Sequence, residues 1–486
     1  MSIWSVFFTE IFEYFVSKSL TQFCSGKEMD VQPKSMHGIW SGRWTFILAA
    51  TGSAVGLGNL WKFPYVAGTF GGGAFVLIYL VCILLIGVPV MMAEVLLGRA
   101  ARKSPINAMD HAVVASESRS AWRYIGWVGI FSALLILSFY AVIAGWAMDY
   151  LILTVKGALF EVSGDEAVLL FSNLVSDPLR LILWQSTFLA LCFFVVAAGV
   201  QKGLGRAITI LMPILFILLI VMMLLAVLKG DFFSAWIFLF AFDFASITWR
   251  AVLEAMGLAF FTLSIGMGAI MAYGAYMPAE ASIGRTVLVV AILDSAVAII
   301  AGLMIFSIVF ATPGIEPSAG PGLMFISLPV AFGNMAGGQI LGILFFFLVV
   351  IAAWSSAISL LEPAVAWLIE EKTISRQRAC VILSSLVWTL GIGTVLSFNI
   401  AKDIKVAGLT FFDALDFLTA NIMLPLSGFA IAIFVGFIMR DDLVRVQMSD
   451  LKIKYLAYWL WLLRYLAPIA VLIIFSMGIY DKFSSV

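Results

Sequence analysis

The chain has 486 residues, 63% hydrophobic and 12% charged, with zero formal net charge and a mean hydropathy of +1.10. A soluble domain is nearer half apolar and a quarter charged, so this composition specifies an all-α polytopic protein in a lipid bilayer. Balanced charge points to no nucleic-acid partner.

Four scattered cysteines (Cys24, Cys82, Cys192, Cys380) lack metal or redox spacing and read as single buried thiols. Neither histidine belongs to an HExxH, and there is no Walker motif. Gly56-Leu57-Gly58 runs on as Asn59-Leu60-Trp61, which is not a dinucleotide fingerprint. An ATP-driven pump and an enzyme both lack the residues they need.

Residues 1–35 form an N-terminal extension. Ile3 to Phe15 is aromatic-rich but holds Glu10 and Glu13 and is short for a span of about 20 residues. It reads as an interfacial helix, a disordered extension, or sequence upstream of a start at Met36; no basic region precedes it, as a cleaved signal would require. Residues 36–486 are the main domain. Its apolar runs predict span 1 at 42–68, span 2 at 72–98, span 3 at 122–154, span 4 at 179–199 and span 5 at 204–228. Span 6 follows at 250–277, span 7 at 284–311, span 8 at 339–370, span 9 at 375–398, span 10 at 407–438 and span 11 at 456–480. Trp236, Phe238 and Phe240 are too close to span 6 for a separate crossing and read as an interfacial segment. Gly314 to Gly338 reads as a long structured loop or a re-entrant hairpin.

With the N-terminus inside, the loops after spans 2, 4, 6, 8 and 10 carry fifteen Lys and Arg, and the opposite side carries seven. That bias fits the positive-inside rule with an inner N-terminus and an outer C-terminus.

Two spans contain glycine-rich interruptions. In span 1, Gly52, Gly56 and Gly58 precede Asn59, Lys62 and Pro64. Each glycine weakens a helix by about 1 kcal/mol relative to Ala. Opened backbone at membrane depth is tolerated only where it lines a cavity or is buried in protein. Gly52-xxx-Gly56 is also a GxxxG packing face, the plainer alternative. Span 6 supplies the argument against it: Phe260-Phe261-Thr262-Leu263-Ser264-Ile265-Gly266-Met267-Gly268 is a second glycine-interrupted run, five spans later. Matching breaks in two halves of opposite orientation point to an inverted repeat, here about 40–230 and 245–440, with an extra helix at 456–480. Polar groups in other spans suit convergence on the breaks: Tyr140 in span 3, Asp294 in span 7, and Ser355 and Ser356 in span 8. An intramembrane carboxylate such as Asp294 is costly and reads as functional. The two serines could equally bond back to their own helix.

Gly52 to Tyr65 followed by Gly71-Gly72-Gly73-Ala74-Phe75 resembles the first-helix signature of the neurotransmitter:sodium symporter family. Phe260 to Gly268 resembles its sixth helix, and Trp354 to Pro363 its eighth. The likeness covers about Trp40 to Tyr480 and implies a Na⁺-coupled transporter that alternates access around the two breaks, in the plasma membrane (for a bacterial member, the inner membrane). It implies one Na⁺ on the Ala54 carbonyl, Asn59, Thr262 and Asp294, and a second on the carbonyls of Gly52, Val55 and Ala352 with the hydroxyls of Ser355 and Ser356. It implies an amino-acid carboxylate at the N–H groups of Leu57 and Gly58 and the hydroxyl of Tyr140, with Phe261 closing over it. The implied pocket comprises Ala54, Leu57, Gly58, Ile136, Tyr140, Phe261, Thr262, Ser264, Met267, Ser356 and Leu360. Lys62 and Asp416 would form an outer gate, and Trp40, Tyr276 and Glu370 part of an inner one.

Four departures from the family pattern matter. Asp294 stands where many members have Asn and would supply the negative charge that chloride supplies elsewhere; Ala298, one turn on, offers no ligand. Chloride-independent transport is therefore expected. Gly56 stands where amine carriers place an Asp, so the substrate should bring its own carboxylate. The apolar pocket residues then favour a neutral, hydrophobic or aromatic amino acid, with Met267 pliable enough for a large side chain. Lys62 replaces an Arg and cannot form the bidentate fork, so a looser outer gate is expected. His37 stands at the inner-gate Arg position, which suggests pH sensitivity. Two alternatives remain: coupling to H⁺ through Asp294 on the same fold, and a channel or substrate sensor without transport.

Overall fold

The computed structural model describes residues 38, 40, 42–243, 247–312, 320–372, 374–406 and 408–484. The extension at 1–35 and His37 lie outside the described residues, as do residues 314–319 of the 314–338 segment.

Among the described residues, nine helices are long and apolar enough to cross a membrane. They are Gly73–Ala101, Ser120–Val155, Pro178–Ala197, Val200–Lys229, Ile283–Phe310, Gly338–Lys372, Arg376–Ser397, Phe411–Ile438 and Ile453–Met477. They correspond to spans 2–5 and 7–11. Spans 1 and 6 are the two missing from that set because both are interrupted. Span 1 divides into Arg43–Ala54 and Phe63–Thr69, and span 6 into Trp249–Thr262 and Ala269–Ala275. Each half is too short to cross alone. The described β pairing is one isolated bridge, Val406 to Leu409. The all-α polytopic architecture expected from composition is the architecture observed.

The connecting segments are more ordered than the span reading allows. Pro105–Ala115 and Gly164–Ser176 are helices. Both fall below spanning length, so a search for apolar runs passes over them. Their starts carry local signals nonetheless. Ser104 precedes Pro105, a proline at the first helical position. Ser163 and Glu166 form a reciprocal capping box, and the Ser163 N–H and hydroxyl hold the Glu166 carboxyl below its ordinary range. The 314–338 segment, where described, is built from a 3₁₀ turn at Gly320–Leu323 and a helix at Ser327–Asn334.

The aromatic segment before span 6 is a helix, Phe232–Phe240, with Phe233, Trp236 and Ile237 exposed. It lies against the Gly71–Gly73 turn that joins spans 1 and 2. A Cβ on Gly72 or Gly73 would collide with the Phe238 or Ala241 carbonyl, which explains the glycine run.

Spans 3 and 8 pack along one another with spans 4 and 9 against them, while span 2 packs on the second half of span 6. Outward-facing Leu183, Phe194, Ile217 and Leu228 give spans 4 and 5 an apolar exterior suited to hydrocarbon. The interrupted spans lie inside this shell, with every residue from Ala49 to Lys62 buried.

The site between the two helix breaks

The first break is a short unwinding with reassigned hydrogen bonds. Arg43–Ala54 ends where Val55 turns extended (φ −75°, ψ 108°). The chain resumes with a π turn at Gly58–Lys62. The Gly56 N–H, deprived of its helical acceptor, donates to Asn59 Oδ1 at 3.1 Å. The freed carbonyls of Gly52 and Val55 accept from Ser356 Oγ at 3.3 and 3.0 Å. Buried backbone polar groups require such partners at membrane depth.

In span 6 the helix stops at Thr262. Ser264 (φ 56°), Gly266 (φ 81°) and Gly268 (φ 73°) then adopt left-handed backbone before Ala269 starts the second half. Two of the three are glycines, which take this conformation without penalty. Ser264 is held there by a 2.9 Å hydrogen bond from its hydroxyl to the Ser53 carbonyl, so the two breaks are tied directly together.

A small cavity lies between the breaks. Its lining is Ser53, Ala54, Gly56 and Gly58 from span 1, Ile136 and Tyr140 from span 3, Phe261, Ser264 and Met267 from span 6, and Ser356 and Leu360 from span 8. Of the eleven pocket residues named from sequence, nine therefore meet around one space; Leu57 and Thr262 stand just behind it. Leu57 contributes its backbone N–H, which donates to the Tyr140 hydroxyl at 3.1 Å. That end is polar and the rest mostly apolar.

Beside the cavity, Asn59 Nδ2 donates to Asp294 Oδ1 at 2.8 Å and to the Asp294 carbonyl at 3.1 Å. Thr262 Oγ1 and Tyr79 Oη share a 3.0 Å hydrogen bond, and Tyr79 also donates to Asp294 Oδ2 at 3.4 Å. Asn59, Thr262 and Asp294 are thus joined in one buried, oxygen-rich cluster of the kind a hard cation prefers. Tyr79 belongs to it and was missed from sequence, being one more aromatic in an apolar helix. On the other side of the break, Ser356 Oγ bridges Gly52 and Val55 while Ser355 Oγ donates to the Ala352 carbonyl at 3.0 Å. Ser355 bonds back to its own helix, as the plainer reading has it, whereas Ser356 bonds across to span 1.

The two ends of the cavity are shut by different chemistry. On one side, Lys62 Nζ contacts Asp416 Oδ1 and Oδ2 at 2.7 and 2.8 Å and stands 5.4 Å from the centre of the Phe261 ring. The ammonium touches both oxygens as a point charge, without a fork. On the other side, the Trp40 backbone N–H donates to the Tyr276 carbonyl at 2.9 Å, and the Trp40 indole packs edge-on against Tyr273 and Tyr276. Tyr276 donates its hydroxyl to Glu362 at 2.9 Å, and Glu362 is paired with Arg376. Glu370 accepts from the Ser104 N–H and hydroxyl and from Asn107 Nδ2, capping Pro105–Ala115.

The Tyr276–Glu362–Arg376 chain escaped the sequence reading. Glu362 lies in an apolar run, and Arg376 counts there only as a loop charge. Truncating Arg376 to Ala leaves Glu362 buried without its cation. We expect a loss of roughly 3–5 kcal/mol, read as a lower melting temperature in detergent, with much of it restored in the Glu362→Gln/Arg376→Ala pair.

A model of the sodium:neurotransmitter symporter family matches residues 37–163 and 167–485. The chain is 35% identical over 439 residues to an uncharacterized sodium-dependent transporter, YhdH, of Bacillus subtilis, covering 90% of this chain and 96% of that one. It is 31% identical over 448 residues to an uncharacterized sodium-dependent transporter of Haemophilus influenzae, covering 91% and 98%. Among solved structures, MhsT in complex with L-phenylalanine matches with a TM-score of 0.85 and 40% identity, over 91% of this chain and 99% of that one. With two broken helices around a shared cavity and a family match along almost its whole length, this chain belongs to the sodium:neurotransmitter symporter family, as a sodium-dependent multi-pass membrane transporter rather than an enzyme.

Proposed function

We propose that the protein is a Na⁺:amino acid symporter for a neutral, hydrophobic or aromatic substrate, independent of chloride. The carrying observation is the cavity between the breaks, with the Leu57 N–H and Tyr140 hydroxyl at its polar end and Ile136, Phe261, Met267 and Leu360 along the rest. A free carboxylate suits the first, and an apolar side chain the second. The likeness to a structure that holds L-phenylalanine supports the same substrate class.

Two Na⁺ accompany the substrate in this reading. The first sits among Ala54, Asn59, Thr262 and Asp294 and shares the substrate's carboxylate, so ion and substrate each raise the other's affinity. The second sits among Gly52, Val55, Ala352, Ser355 and Ser356. Asp294 carries the fixed negative charge, hence no chloride. Spans 1, 2, 6 and 7 rock against the remainder, opening the Lys62–Asp416 side and the Trp40–Tyr276 side in turn. The sodium gradient drives import, with the membrane potential adding about 2.3 kcal/mol per charge per 100 mV. The inner membrane of a bacterium, with the N-terminus inside, is the setting that the basic-residue bias and the bacterial relatives favour.

A thermal-shift screen of the twenty amino acids with and without Na⁺ tests substrate class. Aromatic and large aliphatic amino acids should stabilise the protein only with Na⁺; a response confined to amines or charged amino acids would sink the reading. Replacing chloride by gluconate should leave binding unchanged. Replacing Na⁺ by choline should abolish it, whereas a proton-coupled carrier would keep it.

A further inference from the structure

Among the described residues, four carboxylates are almost completely buried: Glu94, Asp149, Asp294 and Glu362. Three are well provided for. Asp149 pairs with Arg180 at 2.7 Å and accepts from Trp184, Glu362 pairs with Arg376, and Asp294 accepts from Asn59 and Tyr79. Glu94, at zero exposure in span 2, has no cation. Its Oε1 accepts a 2.6 Å hydrogen bond from the Gly266 N–H in the span 6 break, the Met271 backbone N–H also faces the carboxyl, and its Oε2 has no hydrogen-bond partner. The proposed substrate and ion sets leave this residue unused.

A carboxylate with only neutral backbone donors and no counter-charge is far more costly at membrane depth than the neutral acid. The acid form keeps the bond to Gly266 on one oxygen and puts the proton on the other. Among the described residues, most charged groups on the elements packed against Glu94 are engaged elsewhere. On its own helix, Arg99 is bound to Gln447 and the Ala281 carbonyl, and Arg102 to the Ala275 and Met277 carbonyls. On the second half of span 6, Tyr273 packs on Trp40. On span 7, Asp294 is held by Asn59, and Arg285 lies in the first turn, beside Gly284, which packs against Met92. Asp110 and His111 lie on Pro105–Ala115, with Asp110 paired to Arg123; on Asp441–Gln447, Asp442 pairs with Arg440, and Arg445 lies in its last turn. On span 11, Arg464 is bound to the Gly436 carbonyl and Asp441. Span 10 offers no ionisable group from Leu424 to Ile433.

Glu94 also sits where movement would change its access to water. Its helix is in close contact with the second half of span 6: a Cβ on Gly98 would collide with the Met271 carbonyl, and one on Gly274 would stand 2.7 Å from the Val95 carbonyl. Those two helices are therefore packed backbone against backbone, with no room for a side chain between them at either glycine. Gly266, the residue Glu94 holds, abuts the Leu424 backbone of span 10, with 2.7 Å between a Gly266 Cβ and the Leu424 carbonyl. Span 10 is the cover.

We propose that Glu94 is a proton-binding site coupled to closure of the cavity. When spans 2 and 6 swing from span 10, water reaches the carboxyl and it gives its proton to solvent. When sodium and substrate close the cavity, Glu94 is dehydrated and takes a proton from solvent. The proposal rests on the symport reading above. By linkage, closure that takes up one proton strengthens substrate binding as pH falls, by up to about tenfold per pH unit while the open state is ionised and the closed state neutral.

The test uses the full chain in detergent and weak buffer, with a pH-indicator dye and L-phenylalanine as probe. Adding L-phenylalanine with saturating Na⁺ should take up close to one proton per protein. Glu94→Gln, which keeps an oxygen for the Gly266 N–H, should bind L-phenylalanine with no proton uptake and an affinity that no longer changes with pH. Glu94→Asp should keep the uptake. Sodium-dependent binding by the wild-type protein without proton uptake overturns the proposal and needs no variant. So does uptake that survives in Glu94→Gln, which would move the proton to Asp294 or another acid. If Na⁺ promotes no amino-acid binding at all, the symport reading fails and this one falls with it.

Discussion

Replacing Gly56 by Asp should abolish amino-acid binding while the protein still folds. A Cβ at Gly56 would collide with Ser356 Oγ and stand only 2.6 Å from the Tyr140 hydroxyl. Both atoms belong to the proposed machinery, Ser356 beside the second ion and Tyr140 at the substrate carboxylate. Overpacking costs roughly 1–3 kcal/mol, and an unpaired carboxylate facing the substrate's own adds more. The expected loss of L-phenylalanine affinity is about 100-fold or greater. Gly56→Ala, which adds the collision without the charge, should cost roughly 10–100-fold. Equilibrium binding of labelled L-phenylalanine reads both, with melting temperature as the folding control. Affinity within threefold of wild type in Gly56→Asp would mean that the first break does not face the substrate.

Replacing Asp294 by Asn should have the other large effect. Asn59 and Tyr79 both donate to this carboxylate, and it is the only formal negative charge in the cluster. Removing it takes from a bound Na⁺ its one fixed counter-charge. By analogy with breaking a buried ion pair, roughly 3–5 kcal/mol, the Na⁺ concentration needed for binding should rise about 100-fold or more in chloride-free medium. Chloride should partly restore the variant and leave the wild-type protein unaffected, because the Tyr79 and Thr262 hydroxyls would remain to hold an anion. Titrating Na⁺ against substrate-induced thermal stabilisation, in chloride and in gluconate, separates these outcomes. Unchanged Na⁺ dependence would remove Asp294 from the ion site.

The sequence made the architecture legible because membrane helices must satisfy their own backbone, so apolar runs and their failures stand out. Both interruptions were visible as glycines beside polar residues, five spans apart. The cavity lining was legible only through the family motif: Ile136 and Leu360 are indistinguishable from ordinary core until their register places them opposite Gly56. Other features depend on three-dimensional pairing. Tyr79 and Glu94 lie in one apolar helix, and only the fold shows that they approach Thr262 and Gly266. Glu362 and Arg376 are fourteen positions apart with nothing between them to mark a pair. Pro105–Ala115 carried a start signal, Ser104-Pro105, but not the periodic apolar length by which spans were sought.

Sodium coupling is tested most directly by uptake of labelled L-phenylalanine into proteoliposomes carrying the full chain. With Na⁺ outside and K⁺ inside, the substrate should accumulate above its external concentration. Accumulation should be abolished by external choline and unaffected by gluconate in place of chloride. Accumulation that persists in choline, or entry that never exceeds equilibration in Na⁺, would contradict a sodium-driven amino-acid symporter.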